Sequence, residues 1–259
     1  MQHELGLAIE AALRAGEVIR QVYAQPDFLV QQKDDDQGPL TQADLASNQV
    51  IRELLQNHYP ADGWLSEEST DSTDRLDRER VWIVDPLDGT REFTLRMPEF
   101  SVSIGLSVAG RAALGVVYNP ATGELVAGAQ GLGCRLNNIP VVTSAHAALN
   151  GSRILTSRNE MEKGGFSKWQ HRVSMSPLGS VAYKLALVAA GKFEGTFTPN
   201  PRSEWDVCAG VACISAAGGR AGDRYGKDYR FNGQKPRCDG VIGSNGHIHD
   251  QIVQLLENA

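Results

Sequence analysis

Apolar and polar positions alternate along this chain with two periods, and the switches between them mark its elements. Between residues 4 and 23, Leu5, Ile9, Ala12, Gly16, Ile19 and Tyr23 recur at helical spacing, which predicts an amphipathic helix stopped by Pro26. Phe28-Leu29-Val30 reads as a short strand, and Lys33 to Pro39 as a polar loop expected to be mobile. Thr41-Gln42-Ala43-Asp44 then opens a second helix, with Thr41 as N-cap and Asp44 near the capping-box position. Ala46, Val50 and Leu54, flanked by Ile51 and Leu55, form its expected buried stripe, and it ends before Pro60.

Trp64 to Glu68 reads as a short strand ending in two carboxylates. A polar connection leads to Val81-Trp82-Ile83-Val84, four strand-forming residues that run straight into Asp85-Pro86-Leu87-Asp88-Gly89-Thr90. Pro86 lacks a backbone donor and is expected to end the ladder there. Strands follow at 100–108, 112–118 and 125–129, joined by turns short enough to require antiparallel pairing. After about residue 150 strand and helix alternate: strands at 153–156, 196–198 and 241–242, helices at 180–190 and 206–217, and a closing helix carrying Ile248, Ile252 and Leu255. The change of style places a boundary near residue 145, giving an N-terminal α+β domain over 1–145 and a C-terminal α/β domain over 146–259.

Composition narrows the function classes. At 259 residues, with 41% hydrophobic and 22% charged residues, the chain is an ordinary globular protein. Met1-Gln2-His3-Glu4 does not resemble a signal peptide, and no apolar run approaches the ~20 residues of a spanning helix. The expected location is the cytoplasm, free or peripherally attached to the inner membrane. Cys134, Cys208, Cys213 and Cys238 contain no C-x-x-C pair and read as reduced core residues. His247 and His249 read as part of a solvated helix start. A net charge of −6 without a Lys/Arg run argues against nucleic acid as a partner. It also means that an anionic substrate needs a local positive field, most simply a bound cation.

Hard oxygen groups on a stiff turn at a strand end suggest a divalent-cation site, and the absence of His and Cys favours Mg²⁺ over zinc. Alone, Asp85-x-x-Asp88 is better read as a solvated turn and Asp44 as a capping carboxylate, and Asp206 fits an N-cap. Their company tips the balance: Asp44, Glu67-Glu68, the Asp85–Thr90 turn and Trp205-Asp206 all stand at element boundaries, where side chains converge on clefts.

T-Q-A-D at 41–44, L-S-E-E at 65–68, V-D-P-L-D-G-T at 84–90 and E-W-D-V-C-A-G at 204–210 resemble the motifs of the Mg²⁺-dependent, lithium-sensitive phosphatases that include inositol monophosphatases, bisphosphate nucleotidases and fructose bisphosphatases. Asp85 to Phe93 and Gly179 to Lys184 look most like the CysQ-type 3'(2'),5'-bisphosphate nucleotidases, whereas Asn159-Glu160 departs from them. The resemblance implies an α/β fold of mixed α+β character, an α-β-α-β-α sandwich with an antiparallel N-terminal sheet and a smaller mixed C-terminal sheet. It implies two or three Mg²⁺ ions, held by Glu67, Asp85, the Leu87 carbonyl, Asp88 and Asp206. Asp44 and Thr90 would activate a water, and Gly89 and Thr90 N–H groups would hold the phosphate. The implied reaction is hydrolysis of adenosine 3',5'-bisphosphate to AMP, with inositol or sugar monophosphate as the alternative and a non-catalytic phosphate sensor behind both. Lys184, Arg202 and Arg91 are the expected contacts to a distal phosphate. A monomer or homodimer is expected.

Overall fold

The computed structural model describes residues 1–32, 38–169 and 173–258; most of the loop expected at Lys33 to Pro39 lies outside them. Its elements in order are α1 (Gln2–Tyr23), β1 (Val30–Gln32), β2 (Pro39–Thr41), α2 (Gln42–His58), β3 (Gly63–Ser66), β4 (Arg80–Asp88), α3 (Thr90–Thr94), β5 (Ser101–Val108), β6 (Arg111–Asn119), β7 (Glu124–Ala129), β8 (Gly133–Leu136) and β9 (Ile139–Val141). There follow β10 (Arg153–Ser157), α4 (Arg158–Glu162), β11 (Ser174–Leu178), α5 (Val181–Ala189), β12 (Gly195–Thr198), β13 (Arg202–Ser203), α6 (Glu204–Ala216), β14 (Arg220–Gly222), β15 (Arg237–Cys238), β16 (Val241–Ser244) and α7 (His249–Glu257).

Two sheets carry the fold: seven strands in the order β3-β4-β5-β6-β7-β8-β9, and five in the order β11-β10-β12-β16-β14. The pleat of β4 sets the layering. Trp82 and Val84 face the core under α1 and α2, while Val81 and Ile83 face the core shared with α5 and α6. Burying a side chain of this size contributes about 1.5–3 kcal/mol. Beyond the five-stranded sheet, Ile248, which caps α7, and Ile252 and Leu255 within it close a third core with Phe166, Trp169 and Phe197. The result is the expected α-β-α-β-α sandwich, except that the seven-stranded sheet, expected to be antiparallel, is mixed because β3 pairs with β4 in parallel. The five-stranded sheet is mixed as expected, with β10 parallel to β11 and β12, and β16 antiparallel to β12 and β14.

A row of glycines fixes α6. Gly105, Gly115 and Gly128 are cross-strand neighbours on β5, β6 and β7. A Cβ on Gly115 would overlap the Ala209 carbonyl, one on Gly105 would lie 2.7 Å from Cys208 Sγ, and one on Gly128 2.9 Å from Ala216 Cβ. The helix therefore crosses the sheet at backbone contact, and its first turn, with Asp206, is held against the end of β4.

Some expectations shift. The buried face of α2 is Ala43, Ser47, Ile51 and Leu55, one residue round from the Ala46–Val50–Leu54 stripe, because polar Ser47 and Asn48 are buried too. β8, β9, β11 and β14 are strands with little apolar alternation, and the patterning missed them. His247 is exposed as expected, but His249 is fully buried, its Nδ1 3.0 Å from Ser244 Oγ, and burial pushes its pKa down to about 4. All four cysteines are free and buried. Among the described residues no helix is long and apolar enough to cross a membrane.

Candidate active site

The ladder between β4 and β5 breaks where Pro86 stands and resumes at Asp88 opposite Ser101. The bulge turns Asp85 and Asp88 toward one side, as bulges beside functional sites commonly do. Asp85 Oδ1 accepts the Leu87 N–H at 3.0 Å, and Ser47 Oγ of α2 donates to the Pro86 carbonyl at 2.9 Å, so the turn is braced from within and from behind. The next residue, Asn48, donates to the Glu68 carbonyl at 3.1 Å and accepts from Ser66 at 2.7 Å, which fixes the end of β3 beside Glu67.

Asp88 is held by the other half of the chain. Its Oδ2 accepts from Ser180 Oγ and from the Ala182 N–H, each at 2.7 Å, at the start of α5. Ser180 adopts φ +52°, a conformation that costs a non-glycine residue of order 1–3 kcal/mol and that here aims its hydroxyl at Asp88. Asp206, at the third position of α6, accepts the Ser203 N–H at 3.1 Å. Asp85, Asp88 and Asp206 thereby present carboxylate oxygens within 4.8 Å of one another.

Three carboxylates cannot all ionise in such a place without a counter-ion. Burial first, then the charges of Glu67, Asp88 and Asp206, raise the Asp85 carboxyl well above its usual range. Burial, then Asp88 and Glu67, push Asp206 up to about 8. Burial also raises Asp88, which Ser180 and the Lys184 charge oppose. The all-oxygen, like-charged donor set fits Mg²⁺, and nothing softer.

Asp44 sits behind this group, 1% exposed. Its Oδ2 accepts from the Thr41 N–H at 2.7 Å and the Thr41 hydroxyl at 2.6 Å, the expected capping box. Its Oδ1 lies 2.9 Å from Thr90 Oγ1, which is also 2.9 Å from the Leu87 carbonyl. Capping and site roles coincide in one carboxylate. Burial raises its pKa.

These groups open on a cleft of about 810 Å³ lined from both halves, by Glu67, Asp85, Asp88 and Thr90 on one side and Ser180, Arg202, Trp205 and Asp206 on the other. The three cations expected to meet a distal phosphate are placed differently. Lys184 lines the cleft, but its ammonium donates to the carbonyls of Leu178, Gly179 and Ser180 at 3.1, 3.3 and 2.7 Å, and burial lowers its pKa to about 8. Arg91 also lines the cleft, half-buried, and pairs with Glu92 and with Glu162. Arg202 lines the cleft and pairs with Glu160.

A second buried charge network, invisible in the sequence, borders the site. Arg75, 2% exposed, donates to Asp71, to Asn232 Oδ1 at 2.8 Å and to the Gly233 carbonyl at 3.0 Å. Glu204 accepts the Asn232 and Gly233 N–H groups at 2.7 and 2.9 Å. This ties the β3–β4 connection to the first turn of α6.

With this geometry in hand, likeness to known proteins is decisive. The profile of the inositol monophosphatase family matches residues 1–259. The chain belongs to the inositol monophosphatase family. Inositol monophosphatase 1 of Solanum lycopersicum is 31% identical, with 99% of this chain and 96% of the relative aligned. Nus factor SuhB of Escherichia coli (strain K12) is 32% identical over 99% of this chain and all of its own length. Among solved structures, inositol monophosphatase from Anabaena (Nostoc) sp. PCC 7120 superimposes with a TM-score of 0.84 at 32% identity, covering 100% of this chain and 96% of that one. The chain is therefore similar to phosphatases of this family over its whole length.

Proposed function

We propose that this inositol monophosphatase-family protein hydrolyses a phosphomonoester of a polyol, with inositol monophosphate as the reference substrate, in a Mg²⁺-dependent reaction. The observation that carries this reading is the convergence of Asp85, Asp88 and Asp206 in one cleft with the Asp44–Thr90 pair behind them. Glu67, Asp85, the Leu87 carbonyl, Asp88 and Asp206 would hold the metal. When bound, Mg²⁺ would neutralise the phosphate, acidify water and stabilise the attacking and leaving oxygens.

The chain's own part follows from its hydrogen bonds. Thr90 can donate its hydroxyl proton to Asp44 and so turn an oxygen lone pair toward the cleft, where it accepts from an attacking water. Asp44 is a better base for being buried, since burial raises its proton affinity. The Gly89 and Thr90 N–H groups, on the turn that lines the cleft, would hold the phosphate. Ser47 and Ser180 keep the turn from moving as charge builds up.

The polyol reading rests on the pairing of the distal cations: Lys184 and Arg202 already have partners, which suits a neutral leaving group better than a second phosphate. Relatives named inositol monophosphatase support it. Adenosine 3',5'-bisphosphate hydrolysis is the second reading, favoured by the buried Arg202 Nε, which has no hydrogen-bond partner among the described residues. Phosphate release from a panel of phosphomonoesters, with Mg²⁺ and with EDTA, tests both. Inositol monophosphate should be hydrolysed only with Mg²⁺; no Mg²⁺-dependent release from any monoester would overturn the proposal.

A further inference from the structure

The far wall of the cleft contains an ion pair whose geometry points to a selectivity device. Arg202 lines the cleft close enough to the acidic group for its charge to lower the Asp88 and Asp206 carboxyls. Its Nη2 donates to Glu160 Oε1 and its Nη1 to the Pro201 carbonyl at 3.2 Å, while Nε is buried with no hydrogen-bond partner among the described residues. Glu160 is fixed in turn. Its carboxylate accepts from Thr198 Oγ1 at 2.8 and 3.0 Å, and its N–H donates to Ser157 Oγ at 3.3 Å. Both ends of the pair are therefore anchored, on α4 and β12 for the anion and on β13 for the cation.

We infer that Glu160 is a specificity-determining residue: by holding Arg202 it takes this cation out of phosphate recognition and turns away leaving groups that carry a second phosphate. The inference rests on the phosphomonoesterase reading of the site. Its physics is short. A guanidinium with a free fork binds phosphate through two parallel charge-assisted bonds. Here one arm of the fork meets Glu160, and a second phosphate would bring its charge beside that carboxylate. Rejection by like charge is then as much a part of the selectivity as attraction to the favoured substrate. Asn159, beside Glu160 and lining the same cleft, can serve a hydroxyl as donor or acceptor.

The test is a substrate ratio. Measure kcat/KM for adenosine 3',5'-bisphosphate and for inositol 1-phosphate in the wild type, Glu160→Gln, Arg202→Ala and the double variant. Glu160→Gln keeps the shape and removes the charge, so the bisphosphate-to-inositol ratio should rise roughly 10–100-fold, the worth of one freed charge-assisted contact. The rise should vanish when Arg202→Ala is added. A ratio unmoved by Glu160→Gln, or raised equally in the double variant, would overturn the inference. A wild type that turns over neither compound defeats the phosphatase reading instead; titration calorimetry of both compounds against the same four proteins then decides the selectivity by the same ratio. Circular dichroism melts of each variant check that the comparison is made between folded proteins.

Discussion

Glu204 and Asp206 share the first turn of α6, and the protein treats their charges in opposite ways. Burial raises both carboxyls. At Glu204 the chain answers with two backbone N–H groups and the Arg75 charge. At Asp206 the neighbours Asp88 and Glu67 push the same way as burial, and only Arg202 and the Ser203 N–H oppose them. One carboxylate is neutralised by the chain and serves the fold. The other is left short of positive charge, in a cleft, beside two more of its kind. A shortage that the fold could have filled, as it did nearby, marks the place where a cation from solution belongs.

Activity is where breaking the uncompensated side should cost most. Asp44→Asn keeps the capping geometry but removes the base, so kcat should fall about 10²–10⁴-fold while calorimetry shows Mg²⁺ binding close to wild type. Loss of Mg²⁺ binding in that variant would move Asp44 from the water to the metal.

Next in size is the compensated side. Arg75→Met leaves Asn232 Oδ1 and the Gly233 carbonyl without their donor and removes the charge that opposes burial at Glu204, and a buried group left unsatisfied costs about 1–3 kcal/mol. Urea melts should show that loss equally in EDTA and in Mg²⁺. A loss confined to one condition would mean that the two clusters are not separate.

The contrast also separates what the sequence could show from what it could not. Asp85, Asp88 and Thr90 were legible because one strand and one proline turn place them locally, and Thr41–Asp44 because a capping box spans a single helical turn. The three-residue edge strands β9 and β14 were not, since runs of three residues are too short to carry a period. Nor were Ser47, Asn48, Ser180 and the Arg75–Glu204 network, which acquire their roles only when distant segments meet. Lys184 shows another limit: motif context marked it for a substrate and cannot show that its ammonium also closes the turn before α5. The glycine row acquires its meaning only in the folded sheet, where it seats α6.

The smallest effect near neutrality is on the pH dependence of the metal-free fold. Asp206 rises from 3.8 to about 8 on folding, so the native state holds the extra proton and stability is lost as pH climbs through that window. His249 falls from 6.5 to about 4, so the unfolded state holds the extra proton and stability is lost as pH drops through that one. Denaturant melts in EDTA should therefore fall away on both sides, with Asp206→Asn flattening the alkaline side and His249→Gln the acid side. An alkaline limb unchanged in Asp206→Asn would remove the aspartate from this account.

Mg²⁺ linkage in paired variants tests the contrast most directly. At free Mg²⁺ about 100-fold above its dissociation constant, the wild type should gain about 2.7 kcal/mol over EDTA. Asp206→Asn should be more stable than the wild type in EDTA at pH 8 and should lose most of the Mg²⁺ gain, whereas Glu204→Gln should be less stable in both and keep it. Identical wild-type melts in EDTA and Mg²⁺, or the same response from both variants, would contradict the claim that α6 carries one carboxylate for the fold and one for a cation.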